Sequence, residues 1–230
     1  IHEGGHAIYE LNTGDDLIGT TMAGGASMGI HESQSRFYEN IIGRSEAFIS
    51  LIFPKIKELF PEQFENVSAH DFYLAVNKAE PSLIRTEADE LTYSMHIMVR
   101  YEIEKRLMDG SLSTKDLPNE WNRLYKEYLG IDVPCDSMGC LQDSHWSGGA
   151  LGYFPSYSLG SAYGAQFLHK MKQDIDIDKL VSENRIDEVT AWLTEKIHKY
   201  GMLLTPAQLI ENACGEEFNA DYYIEYLTEK

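Results

Sequence analysis

Proline is scarce in this sequence, seven in 230 residues, and no stretch is dominated by Pro, Gly or Ser. There is accordingly no linker, repeat or low-complexity tract, and residues 1–230 are expected to form a single domain. Cysteine is scarcer still. Cys135, Cys140 and Cys214 are odd in number, and the step from Cys135 to Cys140 does not match C-x-x-C. A zinc ribbon is excluded, and free thiols in a reducing, cytoplasmic compartment are expected. Positive charge is also short: 19 Lys and Arg stand against 37 Asp and Glu, a formal net charge of −18. Phosphate backbones and anionic membrane surfaces should be repelled, which excludes nucleic acid and membrane as partners. No apolar run approaches the roughly 20 residues that cross a bilayer, and no signal peptide is visible. An initiator Met is lacking too. The chain opens at Ile1, directly on its most reactive-looking motif, so we expect the C-terminal part of a longer protein, incomplete at its start.

What is present is a globular composition, 43% hydrophobic and 24% charged, with helical periodicity nearly throughout. After a first helix, residues 13–29 are rich in Gly, Thr and Ser and predict a loop with room for a short strand. Phe37, Ile41, Phe48, Leu51 and Ile52 predict one long helix from His31 to Phe60, kinked or interrupted at Pro54. Ser68 with Asp71 predicts an N-cap for a helix to about Lys78. Leu91, Met95, Met98, Val99 and Ile103 predict a helix from Thr86 to Met108. Another follows Pro118 and stops at Gly130. Residues 131–155 form a long Gly-containing irregular segment, a length that in compact domains usually carries function. Helices are expected at 156–173, 178–184, 187–200 and from Thr205-Pro206 to Cys214, with Asn219 capping the last. The predicted fold is mainly α with at most a small β-sheet.

The first ten residues, Ile-His-Glu-Gly-Gly-His-Ala-Ile-Tyr-Glu, carry the chemistry. On a helix His2 and His6 lie one turn apart on the same face, where both imidazoles can reach one metal ion. Glu3 beside them can take a proton from water without being a ligand. A five-letter pattern with two wildcards also arises on ordinary solvated helices. Gly4 and Gly5, however, each cost roughly 1 kcal/mol relative to Ala inside a helix, so a close approach to the backbone is expected there. A catalytic zinc site needs a third protein donor, and Glu32 in Gly-Ile-His-Glu-Ser-Gln-Ser-Arg offers it, from a second helix packed on the first. His31 precedes it but points about 100° away on a helix, so it is not expected to be a ligand. With His2, His6 and Glu32 around a divalent ion the site would carry a formal +1 charge and keep a fourth position open.

These stretches, His2-Glu-Gly-Gly-His-Ala-Ile-Tyr-Glu and His31-Glu-Ser-Gln-Ser-Arg-Phe-Tyr-Glu-Asn, resemble those of the M32 family of metallocarboxypeptidases. Ile84-Arg-Thr-Glu-Ala-Asp89, Gly139-Cys-Leu-Gln-Asp-Ser-His-Trp146 and Gly152-Tyr-Phe-Pro-Ser-Tyr-Ser-Leu-Gly160 agree as well, and so does the tail at Ile197-His-Lys-Tyr-Gly. The resemblance implies a zinc- or cobalt-dependent exopeptidase acting on peptides with a free C-terminus. It also implies a helical H-E-x-x-H fold around a long groove and a homodimer. The family's upstream H-P-F and D-x-R-x-T blocks are absent from the sequence. By itself Arg85 reads as a salt bridge to Glu87 or Asp89; the resemblance makes it the cation that grips the substrate carboxylate bidentately. His145, Tyr153 and Tyr157 are candidate substrate-binding residues, able to face a developing oxyanion or to serve as aromatic packing. Gln142 and Asp143 could orient a ligand histidine. His70, His96, His169 and His198 have no partner pattern. Two alternatives stay open beside the exopeptidase: an oligopeptidase of the H-E-x-x-H class that cuts internally, and a metal-binding fragment without catalytic activity.

Overall fold

Most helices of this chain start where a small polar side chain can satisfy free backbone N–H groups. A computed structural model describes residues 1–230, and they form helices and turns without a β-strand. The short strand allowed for in residues 13–29 is instead a 3₁₀ turn at Asp15–Leu17. In chain order the α-helices are α1 His2–Leu11, α2 Met28–Arg36, α3 Glu46–Leu59, α4 Ala69–Val76, α5 Glu90–Met108 and α6 Leu117–Leu129. They continue as α7 Pro155–Asp174, α8 Ile177–Ser182, α9 Ile186–Lys196, α10 Pro206–Cys214 and α11 Asp221–Glu229. None is long and apolar enough to cross a membrane.

The expected long helix from His31 to Phe60 is in fact three segments. Ser27 caps α2 by accepting the Ile30 N–H, which moves the start back to Met28. A π-helical segment, Phe37–Ile42, follows directly, and Ser45 then caps α3 afresh. Pro54 does not interrupt α3; it lies on the exposed side, where water can serve the carbonyl that proline leaves without a partner. Ser68 and Asp71 form the reciprocal capping box of α4. The helix expected from Thr86 begins at Glu90 instead, because the Asp89 carboxylate accepts from both the N–H and the hydroxyl of Thr92. Asn219 accepts from the N–H of Asp221 just before α11.

The chain packs as two compact units, residues 1–77 with 159–230, and residues 78–158. In the first, Tyr9, Ile30, Phe37, Phe167, Leu193 and Ile197 are fully buried in one apolar cluster. Each large side chain so removed from water contributes roughly 1.5–3 kcal/mol. This core places α1 on α2 at very close range. A Cβ on Gly5 would lie 2.7 Å from the Gln34 carbonyl oxygen and 2.7 Å from the Ser35 Cα. On the other side of α2, a Cβ on Gly160 of α7 would lie 2.6 Å from the Glu32 Cβ. Gly4, by contrast, has nothing within 4 Å of that position.

In the second unit the core gathers Val99, Ile103, Trp121, Leu124 and Tyr125, from α5 and α6. Only part of the apolar pattern of α5 is buried, Val99 and Ile103. Leu91, Met95 and Met98 are 51%, 39% and 50% exposed, whereas His96, Arg100 and Glu104 are at most 5% exposed.

The two helical glycines should therefore respond oppositely to the same change. Gly4→Ala is expected to raise stability by up to about 1 kcal/mol through helix propensity. Gly5→Ala should lower it by about 1–3 kcal/mol through overpacking against a backbone that cannot move aside. Urea unfolding followed by circular dichroism measures both.

Candidate metal centre

The close packing at Gly5 and Gly160 brings three side chains of the first unit to one point. His2 Nε2 lies 3.6 Å and His6 Nε2 3.7 Å from Glu32 Oε2, and a donor atom from each of the three residues lies within 4.8 Å of the others. Donors at 2.0–2.2 Å from a tetrahedral ion sit roughly 3.4 Å apart, so two imidazoles and one carboxylate here fit a divalent cation. The donor set, two neutral nitrogens and one anionic oxygen, is that of a catalytic zinc site with an open position. Glu32 is 2% exposed, and its Oε2 also accepts from the Ser35 hydroxyl. Glu3 stands beside the set on α1, exposed to solvent.

Each histidine is held from behind. His2 Nδ1 lies 2.8 Å from Glu39 Oε2. His6 Nδ1 lies 2.7 Å from His31 Nδ1, and His31 Nε2 lies 2.6 Å from Glu10 Oε1. His31, not expected to be a ligand, is thus a support for one. Burial lowers the His6 imidazole below its ordinary value; His31 and His2 act the same way, while Glu32 and Glu3 oppose. Burial works to raise the Glu39 carboxyl, but the His2 contact and the charges of Arg36 and Arg44 outweigh it and hold it low. Glu39 therefore presents a carboxylate to His2 Nδ1, a contact that fixes the ring with Nε2 toward Glu32. Behind α2, buried His198 contacts Gln34 Oε1 at 2.8 Å, and burial, with a smaller effect of His31, drops its pKa to about 3.

The family model for carboxypeptidase Taq (M32) metallopeptidases matches residues 1–230. The chain belongs to the M32 family. It is 51% identical to carboxypeptidase 1 of Bacillus subtilis (strain 168) over 231 residues, covering 100% of this chain and 46% of that protein. The solved Pyrococcus furiosus carboxypeptidase superposes with a TM-score of 0.96 at 44% identity, over 100% of this chain and 46% of that one. For Trypanosoma cruzi metallocarboxypeptidase 1 the TM-score is 0.94 at 39% identity, over 100% and 48%. The chain thus spans a little under half the length of the M32 relatives it matches.

The M32-like blocks at 84–89 and 139–146, with most of the block at 152–160, lie in the second unit. Arg85 is 6% exposed, and each of its three guanidinium nitrogens donates a hydrogen bond. Nε and Nη2 donate to Asp143 Oδ1 at 3.0 and 2.7 Å, and Nη1 donates to the Tyr93 hydroxyl at 2.8 Å. The salt bridge weighed for Arg85 exists, but with Asp143 and not with Glu87 or Asp89. Arg100 Nε donates to Asp143 Oδ2 at 2.7 Å from the other side, while Gln142 Oε1 accepts from the Arg85 backbone and from Arg100 Nη2. Gln142 and Asp143 hold arginines here, not a ligand histidine. Tyr157 lies under Arg85, with 4.8 Å from Cζ to the ring centroid. His145 Nε2 sits 3.2 Å from the Tyr157 hydroxyl, and Tyr153 packs edge-on against Tyr157. The four substrate-binding candidates are therefore one cluster, with Arg85 at its buried end.

Burial works to raise the Asp143 carboxyl, but its hydrogen bonds with Arg85 and the charges of both arginines hold it below the usual carboxylate range. A carboxyl depressed by folding contributes stability above its unfolded value, about pH 4, and that stability is lost as pH falls through the folded value. Asp143→Asn should cost about 3–5 kcal/mol at neutral pH by leaving two arginines uncompensated. It should also remove that part of the acid-dependent loss below pH 4. Urea titrations of both proteins across this range measure the two effects.

Proposed function

We propose that this chain is the catalytic, C-terminal portion of a single M32 peptidase domain, and that it hydrolyses the C-terminal residue of peptides. The convergence of His2 Nε2, His6 Nε2 and Glu32 Oε2 carries the reading. These three residues would hold one divalent ion, zinc or cobalt. Such an ion supplies a Lewis acid that polarises a peptide carbonyl and makes water more acidic. Glu3 does the proton work: it takes a proton from the attacking water and delivers one to the leaving amine. Glu39 and His31 hold the two imidazoles aimed. His145, Tyr153 and Tyr157 are the peptide-binding side chains of the second unit. The burial of Arg85 and its hydrogen bonds to Asp143 and Tyr93 support a role in positioning Tyr157 and Asp143 in preference to gripping a carboxylate itself. The net charge of −18 argues against nucleic acid and anionic membrane as partners. Three free cysteines suit a cytoplasmic setting, and the family resemblance suits a homodimer.

Glu3→Gln separates chemistry from metal binding. The variant should retain one equivalent of Zn²⁺ or Co²⁺ while hydrolysis of an N-acylated dipeptide falls at least about a hundredfold. The parent chain should cleave that peptide with a free C-terminus and not its amide; cleavage of the amide would instead mark an internally cutting oligopeptidase. Metal uptake without any turnover would mark a silent fragment, a reading favoured by coverage of only 46% of the Bacillus subtilis relative. Arg85→Ala should lower kcat for the free-end peptide with KM little changed. A loss carried mainly by a raised KM would restore Arg85 as the carboxylate-binding cation.

A further inference from the structure

The second unit contains a cavity of about 620 Å³ between α5 and the irregular segment that leads into α7, a volume that suits a small ligand. Tyr101 and Met108 of α5, with Leu151 and Pro155 from the other side, give it apolar walls. Tyr101, Met108 and Leu151 are 45%, 66% and 47% exposed, so their apolar surface is open to a ligand. Glu104 lines the same cavity, yet it is 5% exposed. Its Oε1 accepts from the indole N–H of Trp146 at 2.8 Å. Its Oε2 is buried and has no hydrogen-bond partner in the chain. An oxygen in that state has given up water without gaining a donor, which costs stability.

The basic side chains near Glu104 on α5 are engaged elsewhere. Arg100, one turn earlier, donates to Asp143 and Gln142. Lys105 lies over the Tyr101 ring, 3.7 Å from Glu102, and Arg106 pairs with Glu120. The other acid at the cavity, Asp109, accepts from the Ser111 N–H at 2.8 Å. We infer that this cavity binds a small primary amine, its ammonium group on the Glu104 carboxylate and its apolar body against Tyr101, Met108, Leu151 and Pro155. An ammonium brings both N–H donors and positive charge. A bare metal ion is a poorer match, because hard cations take six or more oxygen ligands and the walls here are apolar. The site uses none of the metal-centre side chains, so it stands independently of the peptidase reading.

Three probes of similar shape separate the chemistry: phenethylamine, 2-phenylethanol and 3-phenylpropionate. Each is titrated into the 230-residue chain while the ¹³C-methyl NMR signal of Met108, assigned with Met108→Leu, is followed. Phenethylamine should shift that signal saturably. The alcohol should bind about 10- to 100-fold more weakly, the loss expected when a hydrogen bond between charged groups becomes a neutral one, and the carboxylate should not bind. Glu104→Gln, which keeps an oxygen for Trp146, should weaken the amine by about the same factor and leave the alcohol within about threefold. Leu151→Ser, on the exposed segment, should weaken amine and alcohol alike by about three- to tenfold through lost apolar contact. If Glu104→Gln does not fold, the amine preference of the wild type together with the Leu151→Ser loss decides the matter. Equal binding of amine and alcohol, or an unchanged amine affinity in folded Glu104→Gln, would overturn the inference. So would the lack of a saturable shift up to about 10 mM amine.

Discussion

The first unit depends on a pinch of backbone against backbone. Gly5 of α1 and Gly160 of α7 press on α2 at Gln34–Ser35 and at Glu32, closer than any side chain would permit. The segment between them therefore has no freedom to rotate or slide, and Glu32 is delivered to one place at 2% exposure. A buried carboxylate is costly unless positive charge meets it. The two imidazoles beside it do not supply that charge when neutral, as burial makes His6. A divalent cation does. The same packing that makes the helices rigid thus creates the demand for the ion.

Behind this first ring of donors, the two histidines are supported unequally. His2 has a carboxylate at its back, delivered by the π-helical segment Phe37–Ile42. A wider turn lets Glu39, two turns after Glu32, reach α1; π segments recur at functional sites for this kind of re-aiming. His6 has another histidine at its back, and only beyond that a carboxylate. Both contacts hold a ring from its Nδ1 side, but they differ in what can disturb them. The His2 contact depends on helix geometry, while the His6 contact depends on the loop whose Gly25 N–H donates to Glu10.

The sequence makes the helical fold and the metal centre legible because both obey local rules. The capping box at Ser68, the stops at Gly130 and Gly215, and the i, i+4 spacing of His2 and His6 are short-range features. Gly5 too is legible as a site of close approach; Gly4 has no such contact in this chain. What escapes is whatever depends on a partner far along the chain. Glu39 lies seven residues after Glu32, a same-face spacing that could have marked it. Glu10 has no such marker, since its partners are His31 and the backbone of Gly25. α5 is legible only in part for the same reason: Val99 and Ile103 of its apolar pattern are buried and Leu91, Met95 and Met98 exposed, while His96, Arg100 and Glu104 are buried as well. Arg100 can be buried only because Asp143, far away in sequence, meets it.

This long-range pairing gives the M32-like blocks a physical meaning. The stretches at 2–10 and 31–40, with the tail at 197–201, are the parts of one constellation: the candidate ligands, the side chains in contact with them, and His198 bracing Gln34 behind α2. The stretches at 84–89, 139–146 and 152–160 supply most of a second, in which Asp143 sits between Arg85 and Arg100 and the aromatic rings of Phe154 and Tyr157 lie against the guanidinium groups. A carboxylate shared by two buried arginines tolerates little substitution on either side, because removing one partner strands the others. Arg85 thus stands out in the sequence for the same reason that it is unfree in the structure. It shares Asp143 with Arg100, and His145, Tyr153 and Tyr157 form the half-buried edge of the cluster.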